Sequence, residues 1–440
     1  MLVTLSRVMR TSSLAVLCCA APALAQEWRE QPDYGTQYGY EPSPAYDQRG
    51  GYGEGPVYPR PEVLGRDPYE VAPPDAYAQP QTAPAPAAPV ARRAPVSPLP
   101  ADFIEQVNAA PHGAMPAKSD KPDPVVVMLQ VLLDRAHVSP GVIDGRQGGN
   151  LTKAISALQS MHNLPANGKL GPDIWDILQS VADRPVMMDY TITEKDVAGP
   201  FVPDMPKDYA EMAQLPALSY RDPIEALAER FHMDETFLRR LNPDADFNMP
   251  GTIIAVVDVG PNAKAKVAHL VADASTRQLL GYNEDWDVVV AYPATIGSAA
   301  LPSPSGIHAV KAVAENPDYW YRPQVNFQQG DNTKALRLPG GPNNPVGTVW
   351  IGLDKPTYGI HGSPEPSKID KTNSHGCLRL TNWDAQELVK LVKVGVDVEF
   401  VDQTPTASIS PAPPQPAAPA QPYEAAGGYD GHQEMPPRLR

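Results

Sequence analysis

Cysteine is nearly absent: the 440 residues hold three, Cys18, Cys19 and Cys377. The first two sit in a stretch that reads as removable. Arg7 and Arg10 precede the apolar run 14–21, and "APALAQ" puts Ala23 and Ala25 at small-residue positions. That is the layout of a secretory signal peptide over residues 1–25, cleaved after Ala25. The residues ahead of Cys18 do not suit a lipoprotein attachment site, so the expectation is a soluble exported product, in the periplasm or cell wall. Loss of 1–25 leaves Cys377 alone and excludes a disulfide within the mature chain. A solitary thiol in an exported protein is a chemical liability unless it has work to do.

Long apolar runs are also lacking. After the signal no stretch of about 18 apolar residues appears, which argues against an integral membrane span after cleavage. Basic excess is lacking too. Lys and Arg number 36 against 51 Asp and Glu, a formal net charge of -15, which argues against nucleic acid as a partner. Branched apolar residues are scarce in 26–122 and 403–440, where many of the 53 prolines fall, as in "TAPAPAAPVARRAPVSP" and "SPAPPQPAAPAQP". Neither stretch has the material for a core. Both are expected to be disordered or extended, partly stiff spacers.

What remains is multidomain, with three segments that can order. In 123–182, Asp123 is an N-cap and Pro124 fits a first helical position. Met128, Leu129, Leu132 and Leu133 recur at helical spacing. A second helix follows Asn150 with Ile155 and Leu158 inward, and Pro172 opens a third with Ile174, Trp175 and Leu178. The links "PGVIDG" and "LPANGKLGP" are turn chemistry. The landmarks "LQ", "IDG", "ALQ" and "LP…G…GP…W" make this small three-helix domain resemble a peptidoglycan-binding domain, with "GGNLTKA" a slightly altered form of the family's G-x-x-T. A helical spacer that no longer binds is the competing reading.

In 215–259, Ile224, Leu227, Ala228 and Phe231 form one helical face, Phe237, Leu238 and Leu241 another, and "TIIAVV" reads as a strand. Leu241-Asn242-Pro243 and Pro250-Gly251-Thr252 make this small α+β module resemble LysM. The family's opening Gly-Asp-Thr-Leu is replaced by "RDPIEAL", so a structural module stands beside a glycan binder.

Residues 264–402 alternate apolar and polar with turns between, as strands do. One helix follows Asn382, with Leu388, Leu391 and Val392 on a face and Gly395 at its stop, and "VDVEFVD" closes as a strand. The expectation is a mostly-β sheet or barrel with a small α component. Read as extended backbone, "SHGCLRL" puts His375, Cys377 and Arg379 on one face and the two leucines on the other. The same alternation in "TYGIHG" buries Tyr358 and Ile360 and turns His361 the other way. Two strands of one sheet then bring a histidine to the cysteine, whose thiol needs a neighbouring base to react near neutral pH. Gly376 leaves the adjacent backbone N–H groups approachable for an oxyanion. A buried inert cysteine and a zinc site of His361, His375 and Cys377 are the alternatives, the latter without a familiar spacing or an obvious fourth ligand.

"GIHGSPEPSKIDKTNSHGCLRL", with "PGGPNNPVGTVWIGL" before it, resembles the catalytic domain of the YkuD-type L,D-transpeptidases. The resemblance covers about a third of the chain. It implies a mostly-β fold and cysteine acyl transfer on peptidoglycan tetrapeptide stems, releasing D-alanine, with no cofactor or metal. By position, Cys377 is the implied nucleophile and His361 its base, oriented by the Gly362 carbonyl. His375, Gly376 and Cys377 are the implied oxyanion donors, and Ser374 and Arg379 support the pocket. Ser363 stands where the family often has threonine. The implied partners are stem peptides and glycan strands, with a neighbouring stem or a wall-anchored protein as acceptor. Water as acceptor, or a wall-binding protein without activity, are the alternatives.

Overall fold

The computed structural model describes residues 96–297, 303–372 and 376–401. The signal segment 1–25, most of the proline-rich stretch 26–122, the tail 403–440, Ser374 and His375 lie outside the described residues. Among those described, no helix is long and apolar enough to cross a membrane.

The helical domain follows the sequence closely. Helix α1 (Phe103–Asn108) precedes α2 (Pro124–Arg135), α3 (Gly149–Met161) and α4 (Pro172–Leu178). The Asp123 side chain accepts from Val125 N at 2.9 Å and Val126 N at 3.4 Å, as an N-cap does. Ile155, Leu158, Ile174 and Leu178 are fully buried. The two "LQ" glutamines have a physical role: each is buried, and each plugs a turn. Gln130 Oε1 accepts from Gly145 N at 2.8 Å, and Gln159 Oε1 accepts from Gly168 N at 2.8 Å.

The spacer expectation fails over 96–122. Phe103 and Val107 of α1 enter the core, Asn108 Oδ1 accepts from Met187 N at 2.9 Å, and Trp175 Nε1 donates to Gly113 O at 2.8 Å. Proline-rich composition hid a six-residue amphipathic helix whose two buried apolar side chains find a partner surface only in the folded chain.

The middle module is wider than the expected 215–259. Strand β1 (Met187–Thr191) comes first, then α5 (Glu194–Val197), α6 (Tyr209–Met212), α7 (Pro223–Arg230), α8 (Glu235–Leu241) and β2 (Ile253–Val257). β1 and β2 pair antiparallel, Asp189 opposite Ala255. The partner strand lies beyond a long insertion, so local pattern could not attach it.

The third domain is a curled eight-stranded sheet. Its strands are β3 (His269–Asp273), β4 (Gln278–Tyr282), β5 (Val288–Pro293), β6 (Gly306–Glu315), β9 (Val349–Leu353), β10 (Gly359–His361), β11 (Leu378–Arg379) and β12 (Asp397–Val401). The spatial order is β11-β10-β9-β6-β12-β3-β4-β5, and a bridge between Thr295, just past β5, and Arg379 of β11 joins the two edges. A separate hairpin of β7 (Tyr319–Tyr321) and β8 (Leu336–Leu338) follows β6. Helix α9 (Asn382–Leu391) carries Leu388 and Leu391 into the sheet's core beside Val290, Ile351 and Val398. Each such fully buried aliphatic side chain contributes about 1.5–3 kcal/mol.

The three parts pack on one another. Ser139 N donates to Ala291 O at 2.8 Å, and Lys153 pairs with Asp370 at 2.7 Å. The loop before β9 grips the middle module, with Leu218 N donating to Gly340 O at 3.0 Å and Asn343 N to Leu218 O at 2.9 Å. Gly341 has φ +144°, and a Cβ there would lie 2.2 Å from Leu218 O. Gly341→Ala should lower stability by about 2–4 kcal/mol, read as a reduced urea midpoint at unchanged m-value.

Candidate active site

Strands β10 and β11 are parallel neighbours, Ile360 opposite Leu378 and His361 opposite Arg379. Parallel partners point the same way, so His361 and Arg379 share a face, and Cys377 precedes Arg379 by two. All three line one cleft of about 1220 Å³. Ile360, Leu378 and Leu380 are fully buried on the other side. His361, Cys377 and Arg379 thus lie opposite Ile360, Leu378 and Leu380, but Tyr358, expected inward with Ile360, precedes the strand, is half-buried and lines the cleft. The extended run is shorter than expected, however: Gly376 has φ +105°, and the strand begins only at Leu378. Pleat alternation cannot be carried back through a glycine in that region.

The imidazole of His361 is buried, at 4% exposure. Its Nδ1 lies 2.7 Å from Gly362 O. A carbonyl oxygen only accepts, so Nδ1 carries the proton and the lone pair is on Nε2. Burial, and next the nearby Arg379 cation, lower the pKa of this histidine to about 3. The ring is neutral across the physiological range and able to accept a proton. Trp350, opposite His361 on β9, lies over it with ring centroids 5.7 Å apart and planes at 23°. The indole needs Gly359 beside it, because a Cβ there would fall 2.7 Å from Trp350 Cζ2.

Cys377 is half-buried, and burial raises the pKa of its thiol. Its thiol donates to Thr357 O at 3.5 Å, and the cysteine and His361 are not hydrogen-bonded to each other. The resting site therefore holds a neutral thiol and a neutral imidazole facing one space, and contact between them requires the cysteine side chain to turn from Thr357. Thr357 itself has φ +71°, a costly backbone for a β-branched residue. At Gly376 the carbonyl accepts from Ser303 Oγ at 2.8 Å, which anchors the turn before Cys377.

Several lining residues were not legible beforehand. Tyr209, Tyr319, Tyr321 and Phe327 form an edge-to-face cluster between α6, β7 and the β7–β8 loop, and Tyr209, Tyr319 and Phe327 reach the cleft. Glu225 and Glu229 of α7 line it from the middle module. No motif marks them, since each acquires its neighbours from a distant part of the chain. The one available signal was Gly359 inside a strand pattern, a mark of close approach.

The lowered imidazole pKa ties stability to pH. An unfolded histidine takes up its proton near 6.5, whereas the folded ring resists until about 3. This contribution is whole above 6.5 and is lost as pH falls toward 3. Urea midpoints measured from pH 6.5 down to 4 should therefore decline less in His361→Gln than in the parent chain.

Comparison with known proteins agrees with this geometry. Residues 268–400 match the L,D-transpeptidase catalytic domain family, and residues 122–178 match a peptidoglycan binding domain family. The chain is 28% identical over 188 residues to the L,D-transpeptidase ErfK/SrfK of Escherichia coli K12, covering 41% of this chain and 60% of that one. It is 27% identical over 177 residues to the L,D-transpeptidase YkuD of Bacillus licheniformis, covering 40% and 92%. Against the L,D-transpeptidase YqjB of Bacillus subtilis the identity is 34% over 117 residues, covering 25% and 58%. The match thus spans under two thirds of the length of two of these three relatives.

Proposed function

We propose that this chain, which carries an L,D-transpeptidase catalytic domain at residues 268–400, is an exported, envelope-located acyltransferase acting on peptidoglycan tetrapeptide stems. The single observation that carries the reading is the meeting of His361 and Cys377 in one cleft, with Gly362 O behind the imidazole at 2.7 Å.

The chemistry follows from that arrangement. As Cys377 turns toward His361, Nε2 takes the thiol proton and the sulfur attacks the carbonyl between the stem's diamino acid and its terminal D-alanine. The Gly362 carbonyl stabilises the imidazolium in place of a carboxylate. Backbone N–H groups of the 375–377 turn, His375, Gly376 and Cys377, receive the oxyanion. Ser374 and Arg379 support the pocket. The imidazolium then protonates the departing amine of D-alanine, leaving a thioester on Cys377. An acceptor amine attacks the thioester, gives its proton to His361 and frees the thiol. An amine from a neighbouring stem forms a 3–3 crosslink, and one from a protein attaches that protein to the wall. The 122–178 domain supports peptidoglycan as the partner, and the LysM-like module is read as a further wall contact.

Purified mature chain incubated with defined tetrapeptide muropeptides should release D-alanine and yield a 3–3 dimer by mass spectrometry. Release of D-alanine with tripeptide alone would make it a carboxypeptidase. No release, with sacculus binding retained, would leave a wall-binding protein and sink the proposal.

A further inference from the structure

The catalytic sheet does not build its cleft alone. Glu225 and Glu229, one turn apart on α7, line it from the middle module and are buried, at 3% and 7% exposure. A buried carboxyl is costly unless it is hydrogen-bonded, and here the amide partners come from the catalytic side. Asn343 Nδ2 donates to Glu225 at 3.3 and 3.2 Å. Asn382 Nδ2 donates to the two oxygens of Glu229 at 3.2 and 3.0 Å, and Tyr220 OH donates to the second at 3.4 Å.

Asn382, the first residue of α9, is the link to the site. Its Oδ1 accepts from Thr348 N at 3.1 Å, while its Nδ2 also donates to Pro342 O at 3.1 Å. That same Oδ1 lies where a Cβ on Gly362 or Gly347 would come within 2.3 or 2.1 Å. The amide is therefore wedged between two stretches of backbone, one of them Gly362, whose carbonyl holds His361 Nδ1. An amide flip would turn Nδ2 toward Thr348 N and Oδ1 toward Glu229, donor on donor and acceptor on acceptor. Without the Glu229 oxygens the amide keeps Thr348 N and Pro342 O but loses both of its contacts to α7.

We propose that Glu229 is a positioning residue for His361, holding the Asn382 amide in the orientation that fixes the Gly362 carbonyl behind the imidazole. The inference rests on the His361–Cys377 reading above, and it makes the middle module part of the site whether or not it also contacts the wall. Glu229 touches neither thiol nor imidazole and acts only through Asn382.

The test follows the His361 Nδ1–H directly, by ¹⁵N-histidine NMR on the full mature chain, beside D-alanine release. In the parent chain the Nδ1–H is held against Gly362 O at 2.7 Å and should exchange slowly with solvent. Glu229→Ala should speed that exchange by about tenfold or more and lower kcat for D-alanine release by about tenfold or more, as misplacement of a catalytic group does. Glu229→Gln supplies an acceptor for Asn382 and should restore slow exchange, a rescue that mere filling of the interface does not predict. Glu229→Leu keeps the volume without the acceptors and reads the same loss if the alanine chain does not fold. Exchange at the parent rate in folded Glu229→Ala or Glu229→Leu overturns the proposal. The NMR arm needs no turnover: a parent chain that never releases D-alanine refutes the transpeptidase reading, while the exchange rates still decide the role of Glu229.

Discussion

Cys377→Ala should reduce D-alanine release from a tetrapeptide stem by at least about 10³-fold in kcat/KM, with little change in the urea midpoint. The size of the effect follows from covalent catalysis. Without the sulfur no thioester forms, and water in the cleft has no comparable nucleophilicity. Stability should be nearly unaffected because the residue is half-buried and its hydrogen bond to Thr357 O, at 3.5 Å, is long and weak. Intact-mass measurement gives a second readout. A carbapenem-type β-lactam should add once to the mature parent chain, at Cys377, and not to Cys377→Ala. An adduct that persists at the same rate in the variant would place the reactive group elsewhere.

The second large effect separates the two histidines. His361→Ala should lower kcat for D-alanine release by about 10²–10⁴-fold, the range of a lost general base. It should also depress alkylation of Cys377 by iodoacetamide near pH 7, since burial raises the thiol pKa despite the Gly359 backbone and Arg379, and a base that takes the proton favours the thiolate. Burial and Arg379 keep the resting His361 ring neutral, so a lone pair is available on Nε2. His375→Ala should lower acyl transfer while leaving much of the thiol's reactivity, because the contribution proposed for it is to the oxyanion site. If His375→Ala is the variant that silences alkylation, the base has been assigned to the wrong residue.

Much of the fold was written locally. Asp123 and Pro124 open α2 because a carboxylate and a pre-set φ satisfy the first turn without help from elsewhere. The faces of α3, α4 and α9 follow from spacing alone, and Leu158, Ile174 and Leu388 are fully buried as that spacing requires. The landmarks around His361 and Cys377 are equally local, and the pairing of β10 with β11 brings both to one cleft. The misreadings share one cause. Helix α1 was hidden by its proline-rich flanks, and β1 lay outside the middle segment, because each is held by partners remote in sequence. Met187 N finds Asn108, and Asp189 faces Ala255.

By itself, then, the sequence determined the helices with their caps and buried faces, the alternating strands, and the chemical identity of the thiol and the imidazole. Those properties depend on neighbours within a few residues, where backbone geometry leaves few choices. Only the tertiary structure decided the electrostatic state of the site and who shares its walls. The Cys377 thiol rests on Thr357 O, Trp350 covers His361, and Asn382 joins the Gly362 backbone to Glu229. Desolvation and hydrogen bonding act through space, and the groups that lower the imidazole pKa and hold its carbonyl are assembled only when sheet, α9 and α7 close on one another.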